Sequence, residues 1–373
     1  MGVALALSFL LCFCLHGVSS GSPSFTSLFT LGDSYIDAGN FVIMAPPAVP
    51  VWHDKPPYGM TFFGRPTGRL SDGRVTVDFI AEQFGLPLLR ASLLNSSSDN
   101  VSKGVNFAVG GATVIDVDFY ERSKLVQFKL INNSLNVQLG WFEQLKPTIC
   151  NKTLLGHREC LSKALFFVGE FGVNDYNFVW NAGKTEDEVR SYVPKVVKNI
   201  VMAVETLIKE GAVYVVVPGS PPNGCSPTML TTRSSLNKTM MYDHVGCLSD
   251  INRVAKYHNS MLRAAIDALR GKYSHAKIIY ADFYGPIITI LENPSRFGVA
   301  GADALLACCG GGGAYNWNAS AVCGMPGVKA CKDPSAFVNW DGIHYTEATY
   351  RFIAEGWLHG PFADPPILSA LRY

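Results

Sequence analysis

Three residue types, two of them far down the chain from the third, could together perform nucleophilic catalysis. LGDSYIDAGN, residues 31–40, presents Ser34 within a Gly-Asp-Ser turn, and WDGIHYTEATY, residues 340–350, carries Asp341 and His344 three positions apart. A serine hydroxyl is a poor nucleophile until a base takes its proton. Histidine is a suitable base near neutral pH, and a carboxylate holds its tautomer and stabilises the imidazolium. The Asp-x-x-His spacing can bring both side chains to one turn, where Asp341 reaches the ring nitrogen facing away from Ser34. These are the residue types of a serine hydrolase.

Such chemistry also needs donors for the oxyanion of a tetrahedral intermediate. Two further segments could supply them. In VNFAVGGAT, residues 105–113, the glycines at 110 and 111 let backbone approach closely and leave N–H groups free to point at an anion. In GEFGVNDY, residues 169–176, Asn174 offers an uncharged side-chain amide. Taken singly, each motif is equally an ordinary turn, with Ser34 as a helix cap. Only the combination points to catalysis.

The elements that must position these residues are legible as short apolar runs at 25–31, 105–109, 164–168, 212–217 and 276–281, each closed by a turn signal. Runs of that length, apolar throughout, suit parallel strands buried on both faces. Between them, 185–210, 248–269 and 347–358 carry apolar residues at helical spacing. Strand and helix alternating along the chain predict a doubly wound α/β sheet with helices on both faces. Ligands bind such sheets in the loops beyond the strand C-termini. Every motif above except the Asp341–His344 pair follows one of the predicted strands.

Together these motifs resemble those of a plant GDSL esterase/lipase, within the SGNH hydrolases. GDSYIDAGN, PPYGMTFFGRPTGRLSDGR, NFAVGGAT, GVNDY and WDGIHYTEATY stand at the family's places and in its order, and the similarity spans about residues 24–366. Leu31 stands where the family usually has Phe, and Phe41 where a second Asn is common. The resemblance implies a three-layer α/β/α, flavodoxin-like fold around a mainly parallel five-stranded sheet, and cleavage of carboxylic esters. It implies Ser34 as nucleophile, His344 as base and Asp341 as the orienting acid. The oxyanion hole would comprise the N–H of Ser34, that of Gly110 or Gly111, and the Asn174 amide. Neither glycine is singled out by the sequence.

Composition bounds the rest. The 373 residues are 48% hydrophobic with a net charge of +1, which suits a sizeable core and argues against electrostatic binding of nucleic acid. Residues 3–15 are almost wholly apolar and small residues follow at 18–20, so residues 1–20 read as a secretory signal too short for a comfortable membrane span. Residues 21–373 then form one hydrolase domain. Sequons begin at Asn95, Asn100, Asn132, Asn151, Asn237 and Asn318, and eight cysteines remain beyond residue 20. In an oxidising compartment those cysteines predict disulfides. Close spacing favours Cys150 with Cys160 and Cys225 with Cys247. The vicinal Cys308 and Cys309 leave one free thiol as an alternative. No metal-ligand spacing stands out among the histidines or cysteines, and no organic cofactor is implied.

Other motifs carry less. GVSSG at 17–21 matches a nucleophile elbow but lies at the signal boundary without strand or helix context. Asp33 is expected to shape the turn. The arginines of GRPTGRLSDGR, residues 64–74, read as a structurally paired loop before an acidic-substrate site. The glycine run 310–313 lacks the lysine of a phosphate loop and reads as a mobile loop.

The resulting expectation is an exported serine esterase, in the extracellular space or cell wall with the vacuole as a second destination. Its substrate would be a small-molecule or glycan ester. VGEFGVNDYN resembles plant relatives acting on acetylated or hydroxycinnamoylated metabolites and sugars. A wall polysaccharide deacetylase, a lipase and an acyltransferase are alternatives on the same residues. A non-catalytic wall glycan-binding protein is the alternative from another class. Sequence leaves oligomeric state open.

Overall fold

The computed structural model describes residues 25–47, 49–94, 101–127, 131–150, 154–234 and 241–371. The proposed signal, the GVSSG motif and the sequons at Asn95, Asn100, Asn151 and Asn237 lie outside these residues. Asn132 and Asn318 are both exposed.

Five strands run parallel: β1 (Ser27–Leu31), β2 (Gly104–Asn106), β3 (Ala164–Val168), β4 (Tyr214–Pro218) and β5 (Lys277–Ala281). They overlap the five apolar runs of the sequence: β3 coincides with 164–168, β1 and β5 begin later than their runs, β2 begins one residue before 105–109 and covers only its start, and β4 is shifted to 214–218. Two-residue strands β6 (Cys309–Gly310) and β7 (Lys329–Ala330) form a separate antiparallel pair. A further two-residue strand, β8 (Ala363–Asp364), adds an antiparallel sixth member to the main sheet, in the order β2-β1-β3-β4-β5-β8. The five-stranded sheet expected from sequence is therefore present with one short edge addition.

Alternate side chains of each strand leave the sheet on opposite faces. Phe29, Phe166, Val215 and Ile278 pack with the helices Leu135–Ile149, Val193–Glu210 and Ser249–Lys272. Leu28, Leu165, Val216 and Ile279 pack with Thr76–Gln83, Tyr284–Glu292 and Glu347–His359. This is a three-layer α/β/α architecture. Parallel neighbours cannot be joined by tight turns, so each connection crosses a face and carries a helix there. The order 2-1-3-4-5 places the switch in chain direction between β1 and β3, where a crevice opens beyond the strand ends.

The helical pattern of 185–210 is two helices, Glu186–Arg190 and Val193–Glu210. Thr185 caps the first reciprocally with Glu188: its Oγ1 accepts the Glu188 N–H at 3.3 Å and its own N–H donates to the Glu188 carboxylate at 2.8 Å. Pro194 in the first turn of the second has no N–H to continue the preceding ladder, so the pattern breaks there.

All eight described cysteines pair: Cys150–Cys160, Cys225–Cys247, Cys308–Cys331 and Cys309–Cys323. Neither member of the vicinal pair is free, because the two side chains leave the backbone toward different partners. Of the glycines at 310–313, Gly310, Gly311 and Gly313 are closely packed and Gly312 is open. A Cβ on Gly310 would lie 1.7 Å from the Asn316 carbonyl oxygen, and Gly312 and Gly313 have φ of +92° and +91°.

Candidate active site

The turn after β1 carries Ser34 and is fixed from beneath. Gln138, buried on a neighbouring helix, accepts the Gly32 N–H at 2.9 Å and donates back to the Gly32 carbonyl at 2.8 Å. Asp33 Oδ1 accepts the Tyr35 N–H at 3.0 Å, the turn-shaping role expected of it. Asp37 then gathers the backbone that follows: Oδ1 accepts Gly39 and Asn40 N–H at 2.7 Å each, and Oδ2 accepts Phe41 N–H at 3.0 Å. Burial pushes the Asp37 carboxyl up to about 6, against these N–H contacts, which lower it.

Asp37 Oδ2 also accepts the N–H of Gly110 at 2.8 Å. That donor points into protein. Gly111, with φ of +77° and open space where a Cβ would stand, has an N–H without a partner among the described residues, and it lines the same cavity as Ser34. Sequence left the two glycines equivalent; their hydrogen bonds distinguish them.

Asn174 enters the site on the first turn of the helix Val173–Asn181. Its amide nitrogen donates to Asp33 Oδ2 at 2.9 Å and to the Ala112 carbonyl at 3.0 Å. The next residue, Asp175, accepts Val114 and Ile115 N–H and the Tyr120 hydroxyl at 2.9, 3.0 and 2.6 Å. The Gly-Gly loop and the Asn174 helix are thus tied together.

The Asp341–His344 turn lies across this cavity. Asp341 Oδ1 accepts its loop's N–H groups, Ile343 at 3.0 Å and His344 at 2.9 Å. Oδ2 stands 2.8 Å from His344 Nδ1. Burial would raise the Asp341 carboxyl, but the adjoining His344 and these donors overcome it and hold it down to about 2. His344 is buried, and its Nε2 has no hydrogen-bond partner among the described residues. Its ring shares the cavity with Ser34, Gly111 and Asn174.

Sequence reasoning missed several neighbours. The Tyr58 hydroxyl donates to Asp341 Oδ2 at 2.8 Å. His53 lines the cavity, and burial lowers its imidazole to about 4, so it is neutral at pH 7. Glu170 is buried behind the nucleophile turn, and neither carboxyl oxygen has a hydrogen-bond partner among the described residues. Burial first, then the Asp33 carboxylate, raise Glu170 far above an ordinary glutamate. Burial raises Asp33 as well, to about 7, so the two carboxyls share a proton near neutral pH, and the Tyr35 N–H and Asn174 amide bonded to Asp33 favour Glu170 as its carrier. Tyr58 lies in a motif visible in the sequence, but its partner is 283 positions away.

The arginine-rich segment is structural, as expected. Arg69 pairs with Asp78 through two contacts of 2.7 Å, and Arg74 reaches Glu347 at 2.8 Å. The Arg74 backbone N–H also donates to Glu347, and the Glu347 N–H donates to Asp72 Oδ1, each at 2.7 Å. These contacts strap residues 58–74 to the start of the helix that follows His344. Tyr35 lines the cavity, whereas Phe62 is exposed at its edge of the molecule and stacks under Arg74.

The cavity measures about 310 Å³. It gathers a serine hydroxyl, an imidazole nitrogen and a backbone N–H, the latter two without partners. Among the described residues no group of three or more His, Cys, Asp or Glu side chains is arranged to hold a metal ion. Nor is any described helix long and apolar enough to cross a membrane.

Comparison with known proteins adds an independent line. The family model described as GDSL-like Lipase/Acylhydrolase matches residues 28–357. An Arabidopsis thaliana protein named GDSL esterase/lipase is 43% identical over 91% of this chain and 92% of its own length. A second Arabidopsis thaliana protein of that name is 42% identical over 92% and 86%. The Brassica napus protein named sinapine esterase is 40% identical over 93% and 90%.

Proposed function

The chain belongs to the GDSL-like lipase/acylhydrolase family and is a carboxylic ester hydrolase; from that premise we propose that Ser34, His344 and Asp341 carry the reaction through an acyl-enzyme. His344 Nε2 takes the Ser34 proton as the hydroxyl attacks the ester carbonyl. Asp341 holds the other ring nitrogen and stabilises the imidazolium. The oxyanion is received by the N–H groups of Ser34 and Gly111 and by the Asn174 amide. His344 returns its proton to the leaving alcohol, then activates water for deacylation.

The observation that carries this reading is the pair of unpartnered polar groups, His344 Nε2 and Gly111 N–H, in one cavity with Ser34. Buried polar groups are almost always satisfied, so His344 Nε2, left open in the cavity beside the exposed Gly111 N–H, marks where a substrate would bond.

The substrate we favour is an acetyl or hydroxycinnamoyl ester of a metabolite or sugar. A cavity of about 310 Å³ lies at the small end of ligand sites, which span about 300–1,000 Å³. That suits a short or single-ring acyl group better than a long chain. The relative named sinapine esterase supports the phenolic option. Export rests on the apolar residues 3–15, the six sequons and four disulfides, with residues 21–373 as one domain.

Side-by-side hydrolysis of acetyl, hydroxycinnamoyl and long-chain esters tests the substrate. A long-chain preference would overturn it. Ser34→Ala tests the site: turnover should fall by several decades in a folded protein, with loss of fluorophosphonate labelling. Persistent labelling of that variant would refute the assignment.

A further inference from the structure

The Asp341 carboxylate is surrounded more completely than a simple relay requires. Oδ1 takes two backbone N–H groups of its own loop and lies 3.0 Å from His344 Nδ1, and Oδ2 takes both His344 Nδ1 and the Tyr58 hydroxyl, each at 2.8 Å. Tyr58 is itself gripped. It is 5% exposed, and its ring meets Trp340 edge-on at 5.7 Å in a small cluster with Cys308, Cys309 and Cys323. Those cysteines are cross-linked, so the hydroxyl is delivered to Asp341 from a stiff support.

We propose that Tyr58 is a positioning residue for the ester hydrolysis, holding the Asp341 carboxylate in register and setting how strongly it attracts the proton of His344. This rests on the assignment of Asp341 and His344 as catalytic partners.

The physical argument is competition. One oxygen serves two donors, so electron density given to the tyrosine hydroxyl is withheld from the imidazole. A hydrogen bond to a buried charged acceptor is also costly to remove, because the lone pair it leaves has no water to turn to. Without the hydroxyl, Oδ2 is left to His344 Nδ1 while Oδ1 keeps its two backbone N–H groups, and the carboxylate favours the imidazolium more strongly. The other groups facing this imidazole are His53, ring to ring with Tyr58 at 6.2 Å, and Tyr35, whose ring lies 5.6 Å from His344. Asp33 acts on it across the cavity. None of these donates a hydrogen bond to Asp341, so Tyr58 is separable from them.

Removing the hydroxyl should leave the strap intact. Asp72 and Arg74 hold Glu347 independently of Tyr58, and the ring keeps its contact with Trp340.

The experiment is the pH dependence of kcat/KM for the full, disulfide-bonded enzyme in three forms. These are wild type, Tyr58→Phe, and a protein with 3-fluorotyrosine placed at position 58, which is a stronger donor. In Tyr58→Phe the acidic limb should move up by about half a pH unit, with kcat falling several-fold and KM nearly unchanged. With 3-fluorotyrosine the limb should move down. Should Tyr58→Phe fail to fold, the fluorinated protein reads the effect alone. Unmoved limbs in both proteins, with only melting temperature altered, would overturn the proposal. Asp341→Asn serves as the control on the underlying assignment: if it retains wild-type turnover, the triad reading fails. If it is inactive while the Tyr58 proteins keep the wild-type limb, the role of Tyr58 alone fails.

Discussion

Asp37 and Gly110 are joined by a hydrogen bond of 2.8 Å from the glycine N–H to the carboxylate, and this bond divides two adjacent glycines into an anchor and a free donor. Gly110 holds the loop; Gly111 faces the cavity. The nucleophile turn and the Gly-Gly loop therefore move as one body, although they follow different strands.

Replacing Asp37 should expose that coupling. In Asp37→Asn an amide must stand where a carboxylate accepts four backbone N–H groups, so at least one is left unpaired. The cost should be about 2 kcal/mol of stability. Turnover should fall about tenfold as the Gly111 donor loses its register, with little change in KM. Thermal melting and steady-state kinetics on one preparation check both. A melting shift without a rate loss would separate Gly111 from catalysis.

Asn174 presents a sharper case. Its amide nitrogen is already bonded to Asp33 and to the Ala112 carbonyl, so service to an oxyanion requires it to give up part of that bonding as charge develops. Asn174→Ala should lower turnover by two to three decades, about 3 kcal/mol, with KM little altered. It should also lower the melting temperature, because Asp33 and Ala112 lose their donor. Near-normal turnover in the folded variant would reduce Asn174 to a tie between loops.

The neutral Glu170 predicts an unusual pH dependence. Its folded-state pKa is raised above the ordinary glutamate value, by burial first and then by the Asp33 charge. The unfolded chain therefore releases this proton at lower pH than the folded one. Stability from this group is full below the unfolded pKa, near 4.3, and is lost as pH rises toward the folded value. Glu170→Gln cannot ionise, so it should melt above wild type at pH 8, with the difference shrinking toward pH 4.5. Melting curves from pH 4 to 9 give the answer. A variant destabilised equally at every pH would contradict a protonated glutamate.

Sequence was most informative where burial is two-sided. The run 164–168 is apolar throughout because both faces of β3 are covered, and its limits coincide with the strand. The two-residue β8 was invisible, since it has no pattern of its own and exists only against Tyr280 and Ala281. The chemistry-bearing side chains stood out by type and spacing. Their supports did not: Gln138, Glu170 and Tyr58 act through partners distant in the chain, and no local pattern marks such a contact. The hydrogen bond that occupies the Gly110 N–H was illegible for the same reason, because it goes to Asp37.

The strap between residues 58–74 and Glu347 also sets a timetable. A ribosome delivers the nucleophile turn, Tyr58 and Arg74 early, and Asp341 and His344 near the end. Domains fold as their segments emerge, so the sheet can assemble around β1 and β3 while the base is still unmade. On the proposed assignment, Ser34 has no base to activate it until the Asp341–His344 segment docks against the nucleophile turn, so hydrolytic competence arrives only with that docking.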